Sequence, residues 1–446
     1  MARYLVVLLS FLMIVPAFAQ DPDVAVTVYN QGLGLVREVR DINLDRGVQS
    51  FAYDGVAAKM LPASVRFHAT DVDILEQNFE YDLVSQQALM QKYLGQMVDI
   101  VLEDGVVSGK LLSVSGGIIV EEDDGGVRII SNDAVKSVRF PELPDGLIIK
   151  PTLRWLLNSD KSGDVESELA YLTRGLSWEA SYVAVVGEDD DELELSGWVQ
   201  MSNQSGTDFM NTKLKLMAGD VQFAEQPPSR NRGMYAEEAM MAMDGAGKGF
   251  EEKSFFEYHL YTLPRRVDIL DNQDKQIRLI EPATTDVTKK YIFEPNRGGD
   301  VQVKLEFTNS EDAGLGMPLP AGLVRMYKVD PDDNTMQLIG EDRIDHTPRD
   351  EDLSLKTGNA FDVVAERKVM DTQRISSSVR QQMYEVEVRN RKDDAVEVVV
   401  REHFYGDWRI VTESMNGTKI DANTYEWVVP AGADEEVKMS YTVRFQ

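Results

Sequence analysis

The sequence predicts an all-β protein: several antiparallel β-sandwiches, a small Sm-like or SH3-like barrel inserted among them, and one short helix. Three observations carry this expectation. Apolar and polar residues alternate with period two, as in Leu193, Leu195, Gly197, Val199 and Met201 against Glu194, Ser196, Trp198, Gln200 and Ser202, which gives a strand one buried face. Short turns such as Glu103-Asp104-Gly105 and Asn203-Gln204-Ser205-Gly206 punctuate the runs, and their residues tolerate the dihedrals that tight turns need. Helical spacing is clearest at Leu83 to Leu94, where Leu83, Ala88, Leu89 and Leu94 recur near the helical period and Ser85 is placed to cap.

At 446 residues the chain exceeds one compact core and divides into about three domains. Residues 1–19 read as a signal peptide. Arg3 is its positive end, Leu5 to Val15 an apolar run too short to span a bilayer, and Ala17-Phe18-Ala19 the cleavage site, so the mature chain begins at Gln20. Later apolar runs stay short, and no transmembrane segment is expected in the mature chain. The absence of cysteine excludes a disulfide framework, thiolate metal sites and a cysteine nucleophile. The formal charge of -30, or -31 once Arg3 is removed, repels nucleic-acid phosphates, so nucleic acid is discarded as a partner.

In chain order, residues 20–82 form an N-terminal β layer, beginning with Val24, Val26 and Val28 on one face. Residues 83–140 hold the helix and then Met97 to Leu102, Val106 to Val114, Ile118 to Glu122, Val127 to Ile130 and Val135 to Phe140, closely spaced strands that suit a small barrel. Its turns are acidic, which argues against RNA. Residues 141–360 form a central sandwich, with Leu147 to Leu157 and Val165 to Thr173 as a hairpin and Gln222 to Lys253 as a long mobile loop. Residues 361–446 show the strongest alternation, through Val396, Val398 and Val400 and through Val437, Met439, Tyr441 and Val443, and read as an immunoglobulin-like sandwich without the cysteine pair.

The motifs Gly175-Leu176-Ser177-Trp178-Glu179-Ala180-Ser181-Tyr182, Gly197-Trp198-Val199 with Asn203 and Gly206, Lys213-Leu214-Lys215-Leu216 ending at Gly219-Asp220, then Asn309 and Pro318-Leu319-Pro320-Ala321-Gly322 resemble the exported bacterial family of domain of unknown function 4139. A remoter similarity is to the mucoidy inhibitor A family. The resemblance covers most of the mature chain and implies an all-β envelope protein. It carries over no catalytic residue.

Candidate sites are few. Ser177 lacks the glycine and the strand-to-helix turn of a nucleophile elbow, Glu179 standing where the glycine belongs. His68, His259, His346 and His403 are far apart and lack the spacing of a zinc hydrolase. Glu188 to Glu192 reads as a solvated hairpin tip. Asp330, Asp332, Asn334 and Glu341 match calcium-loop positions, but Thr335 replaces the glycine and the flanks are strands. Met234, Met240, Met241 and Met243 offer thioethers within a flexible loop. No cofactor or metal is expected. Trp155, Trp178, Trp408 and Trp427 read as anchors, whereas Trp198 lies on the face opposite Leu195 and Val199. Trp198, with Trp178 and Tyr182, is the candidate interaction surface. The expected function is binding or scaffolding in the cell envelope, with an envelope protein or glycan as partner. The alternatives are a polysaccharide hydrolase using paired carboxylates and a self-assembling or adhesive surface subunit adding strands at open edges.

Overall fold

Period-two alternation becomes burial throughout the computed structural model, which describes residues 22–80, 86–141, 150–219, 221–223 and 250–446. Glu192–Asn203 buries Leu193, Leu195, Val199 and Met201 and turns Glu194, Trp198 and Gln200 outward. It forms a hairpin with Leu176–Val186, Ala180 opposite Val199. These strands are the middle of a five-stranded sheet in the order Gln273–Asp286, Glu192–Asn203, Leu176–Val186, Gly322–Val329, Met336–Ile344.

A second sheet of eight strands packs on it. Asp23–Tyr29 lies there between Leu33–Leu44 and Phe209–Ala218, so the N-terminal strands complete the central sandwich. Their shared core includes Val26, Val36, Tyr182, Val199 and Leu216. A three-stranded sheet of Gly47–Asp54, Thr152–Ser159 and Val72–Glu80 extends that core with Trp155, whose ring lies 5.5 Å from Tyr53 and 4.4 Å from Phe67.

The sandwiches are mixed rather than purely antiparallel. Asp23–Tyr29 runs parallel to Phe209–Ala218, Leu176–Val186 to Gly322–Val329, and Thr288–Phe293 to Val396–His403. Alternation reports which side chains face inward and says nothing of strand direction. The hairpin expected between Leu147 to Leu157 and Val165 to Thr173 is likewise corrected. Thr152–Ser159 pairs with Gly47–Asp54 and Val72–Glu80, while Gly163–Arg174 pairs with Leu33–Leu44 and Arg66–Ala69. At the corner the Asp160 N–H bonds to the Asp71 carbonyl, and the chain passes from one sheet to another.

The unit expected at 83–140 begins with the helix Gln86–Lys92; Leu83 and Ser85 lie outside the described residues. Its five strands run in the order Ser137–Arg139, Met97–Val101, Val106–Ser113, Ile118–Glu121, Val127–Ile130. The last strand returns to the first, but no described ladder joins the two ends, so this is an open sheet and not a closed barrel. Its own core contains Tyr93, Ile100, Leu111 and Val120. The strands on either side of it pair with each other, Leu153 opposite Phe79, so the chain leaves and re-enters the larger sheet at one place.

The C-terminal sandwich sets a six-stranded sheet, including Thr288–Phe293, Val301–Thr308 and Asp352–Asn359, against a four-stranded one that begins with Val363–Arg374. The sandwich expected at 361–446 thus draws three strands from the stretch before it. Val301–Thr308 serves two cores, placing Val301 in the C-terminal one and Leu305 and Phe307 in the central one. Residues 1–19 and the methionines of 234–243 lie outside the described residues, as does most of the loop expected at 222–253. At that loop's end, Glu251–Phe255 is a strand paired with Tyr258–Thr262, because Lys253 and Ser254 find backbone partners in Leu260 and His259. Among the described residues no helix is long and apolar enough to cross a membrane.

Candidate functional site

The sequence motifs prove to be fold devices when each is followed to its contacts. Gly175 has φ +85°, and a Cβ there would stand 2.5 Å from the Gln204 carbonyl oxygen, so only glycine fits at this corner. The Tyr182 hydroxyl donates to the Pro320 carbonyl at 2.7 Å and the Tyr261 hydroxyl to the Pro318 carbonyl at 2.9 Å, clasping the Pro318 to Gly322 segment. Asn203 donates to the Thr207 and Ile269 carbonyls and accepts from the Ser205 N–H. Asn309 donates to Met317 and Pro348 and accepts from Gly316. Asn390 repeats the arrangement with Asp394, Ala431, Gly432 and Lys392. Each of these asparagines is fully buried at the end of a strand and replaces backbone partners lost in the turn that follows.

The three aromatic residues expected at an interaction surface separate. Tyr182 is 0 % exposed and Trp178 4 %, both in the central core, with Trp178 edge-on to Tyr261 at 6.4 Å. Trp198 lies on the other face of the sheet, half-buried, between Ser181 and Arg278 of the adjacent strands. The Arg278 guanidinium sits 4.3 Å above its ring, within cation–π range. One arginine nitrogen, Nη1, is buried without a hydrogen-bond partner.

Beside this face a groove of about 370 Å³ opens, lined by Ser177, Glu179, Gln200 and Ser202 from the Trp198 side of the sheet, by the inward-facing Trp178, and by Asn30 just after Asp23–Tyr29 of the other sheet. Ser177 stands opposite Ser202 and Glu179 opposite Gln200 on the paired strands. Ser177 is thus a mid-sheet residue with no elbow around it. Two polar atoms of the lining residues, Asn30 Oδ1 and Trp178 Nε1, are buried without partners. Leaving such groups unbonded costs about 1–3 kcal/mol each.

Buried carboxylates elsewhere are bound up in the fold. Glu402, fully buried, accepts from Arg367 Nη1 on both oxygens at 2.9 Å, from Asn296 at 3.1 Å and from the Tyr441 hydroxyl. Burial nevertheless pushes its pKa above the ordinary range, against the pull of Arg367 and Tyr441. Glu294 is shifted the other way: burial opposes ionisation, but His403 at 3.1 Å and the nearby Arg401 outweigh it.

The remaining histidines are dispersed. His259 meets Glu252 at 2.7 Å, His346 accepts from the Ala321 N–H at 3.1 Å, and His68 is exposed on Arg66–Ala69. In the expected calcium-like turn Asp330 accepts from the Asp332 N–H, and Asp333 from the Thr335 N–H and hydroxyl. Among the described residues no group of three or more His, Cys, Asp or Glu side chains is arranged to hold a metal ion.

Two features escape sequence reasoning. Glu402 continues the inward stripe Val396, Val398, Val400, so a carboxylate at an inward strand position was the available signal. The hairpin tip at Glu188 to Glu192 is not wholly solvated. Asp190 is half-buried between Lys289 at 2.6 Å and Lys328, partners 99 and 138 residues away that no local pattern could indicate.

Fold and surface together define a multi-sandwich β protein whose central sheet presents an open polar and aromatic face. Residues 167–446 match the family described as domain of unknown function (DUF4139), and the chain belongs to that family. No curated protein matches it.

Proposed function

We propose that the protein is exported to the cell envelope and acts there by binding a glycan along the Trp198 face. Export rests on Arg3, the apolar run Leu5 to Val15 and the Ala17-Phe18-Ala19 cleavage pattern. The observation that carries the binding reading is the groove with its buried, unpartnered Asn30 acceptor and Trp178 donor. A sugar hydroxyl both donates and accepts, so this chemistry suits an unpartnered acceptor and an unpartnered donor alike. Glu179, Gln200, Ser177 and Ser202 supply further polar contacts, and Trp198, the outward residue next before Gln200 on the same strand, supplies an aromatic surface beside the groove. Binding is favoured over hydrolysis because Glu402 is occupied by Arg367 and the Tyr441 hydroxyl, and Glu294 by His403 with Arg401 nearby.

The test is co-sedimentation of the mature chain with purified insoluble envelope glycan. The parent protein pellets with the glycan and Trp198→Ala stays in the supernatant. Equal pelleting of both chains, or of neither, rejects the proposal.

A further inference from the structure

Where the central and C-terminal sandwiches meet, a cavity of about 370 Å³ is lined by residues from both. Lys328 comes from the central sheet, Lys289 and Tyr291 from Thr288–Phe293, and Lys392 from the turn after Arg380–Asn390. The charged residues of the lining are Lys289, Lys328 and Lys392 against Asp190 and Asp362, three positive and two negative. A net positive cavity is the reverse of a chain at -30.

Asp190 is committed to Lys289 and Lys328. Burial works against its ionisation, but hydrogen bonds from those two ammonium groups outweigh burial and hold it below the ordinary carboxyl range. Lys392 differs. Its ammonium has three donors, and its hydrogen bond goes to the neutral Tyr291 hydroxyl at 3.0 Å, with the same ring 5.6 Å away. Phe361 lines the cavity while 93 % exposed, an aromatic left in water at its mouth.

We propose that this cavity binds an oxyanion carried on a flat or apolar body, with Lys392 as the principal cation, Lys289 and Lys328 beside it, and Phe361 against the body. A phosphate ester and a carboxylate share this chemistry. The site is separate from the Trp198 face and does not depend on it.

The experiment titrates the mature chain with inorganic phosphate, phenyl phosphate and benzoate at constant ionic strength set with chloride, following binding by calorimetry and the thermal midpoint. The parent shows saturable binding of phenyl phosphate or benzoate, and whichever binds more tightly identifies the anion class. Lys392→Gln weakens that binding about tenfold or more, the loss of a hydrogen bond to a charged group. Lys392→Arg retains binding, which separates lost charge from lost fold. Phe361→Ala weakens binding of the aryl anions and leaves inorganic phosphate unchanged. A Lys392→Gln chain that melts cooperatively and binds as the parent does overturns the proposal. So does a parent whose response to all three anions equals its response to chloride, or a Phe361→Ala chain that binds the aryl anions unchanged.

Discussion

Glu402 in the C-terminal sandwich and Glu38 in the central one occupy the same kind of place, an inward strand position beside tyrosines and an arginine, and are held differently. Glu402 has Arg367 bridging both its oxygens, with Asn296 bonded to the arginine at 2.9 Å and to the carboxylate. Tyr441, which bonds Glu402, stacks on Tyr384 at 5.1 Å and on Trp427 at 4.4 Å. Glu38 is bonded by the Tyr53 hydroxyl at 3.2 Å and by Tyr171, and Arg40 favours its charge from nearby without a hydrogen bond to it, lying over the Tyr53 ring and reaching the Asp54 carbonyl at 3.4 Å. Its Nε is buried without a partner. Burial raises both carboxyl pKa values, so neither set fully offsets desolvation, and the difference teaches that the fuller set around Glu402 has more buried partners to strand when it is broken.

The largest expected effect follows directly. Glu402→Ala leaves Arg367 and the Tyr441 hydroxyl inside the sandwich without their acceptor and costs about 3–5 kcal/mol in denaturant unfolding. Glu38→Ala leaves the Tyr53 and Tyr171 hydroxyls short of a partner, with no guanidinium hydrogen-bonded to the lost carboxylate, and costs about 1–3 kcal/mol. Equal losses at the two positions break the comparison.

The strand-end asparagines sharpen it, since they are neutral groups held by equally closed sets. Asn203→Ala in the central sandwich and Asn390→Ala in the C-terminal one each leave a turn's carbonyls unbonded and cost about 1–3 kcal/mol, read from the denaturation midpoint. Matching costs show that the closed set matters and the sandwich does not.

A smaller effect appears with pH, and its sign differs between groups. Glu402 and Glu38 have folded pKa values raised above the ordinary 4.5, so their contribution is fully present below 4.5 and is lost as pH rises through the folded values. Asp190 is lowered below 3.8, so its contribution is present above 3.8 and is lost as pH falls through the folded value. Glu402→Gln therefore flattens the decline of stability on the alkaline side of 4.5, and Asp190→Asn flattens the decline on the acid side of 3.8. Thermal melts across pH 2 to 8, about the span of these titrations, check both slopes.

Much of the fold was legible because alternation is a local property. Leu176–Val186 and Glu192–Asn203 lie where their period-two runs place them, and the hairpin between them follows from a short acidic turn. What was not legible is relational. Nothing within Thr152–Ser159 says that its neighbours are Gly47–Asp54 and Val72–Glu80, and nothing in Val127–Ile130 says that the sheet stays open. The site divided in the same way. Trp198 was legible as the outward aromatic of its strand, whereas Asn30 and the lysines around Asp190 reach their sites through long-range pairing. Trp178 and Tyr182 flank Trp198 across a hairpin but face the core, since Trp178 pairs with Met201 and Tyr182 with Gly197 on the inward side.

The smallest expected effect on stability comes at the surface. Trp198→Phe keeps an aromatic ring on a half-exposed face and changes unfolding by about 0.5 kcal/mol or less. The same substitution tests the central claim, that this face is the binding site. Tryptophan fluorescence is followed while soluble fragments of the envelope glycan are titrated into the parent and into Trp198→Phe. Trp155, Trp178 and Trp427 are buried but Trp408 is half-exposed, so both chains carry Trp408→Phe, which leaves Trp198 as the half-exposed tryptophan that reports. The account predicts a saturable change in the parent that is absent from Trp198→Phe. An identical saturable change in both chains, or a flat titration in the parent, contradicts it.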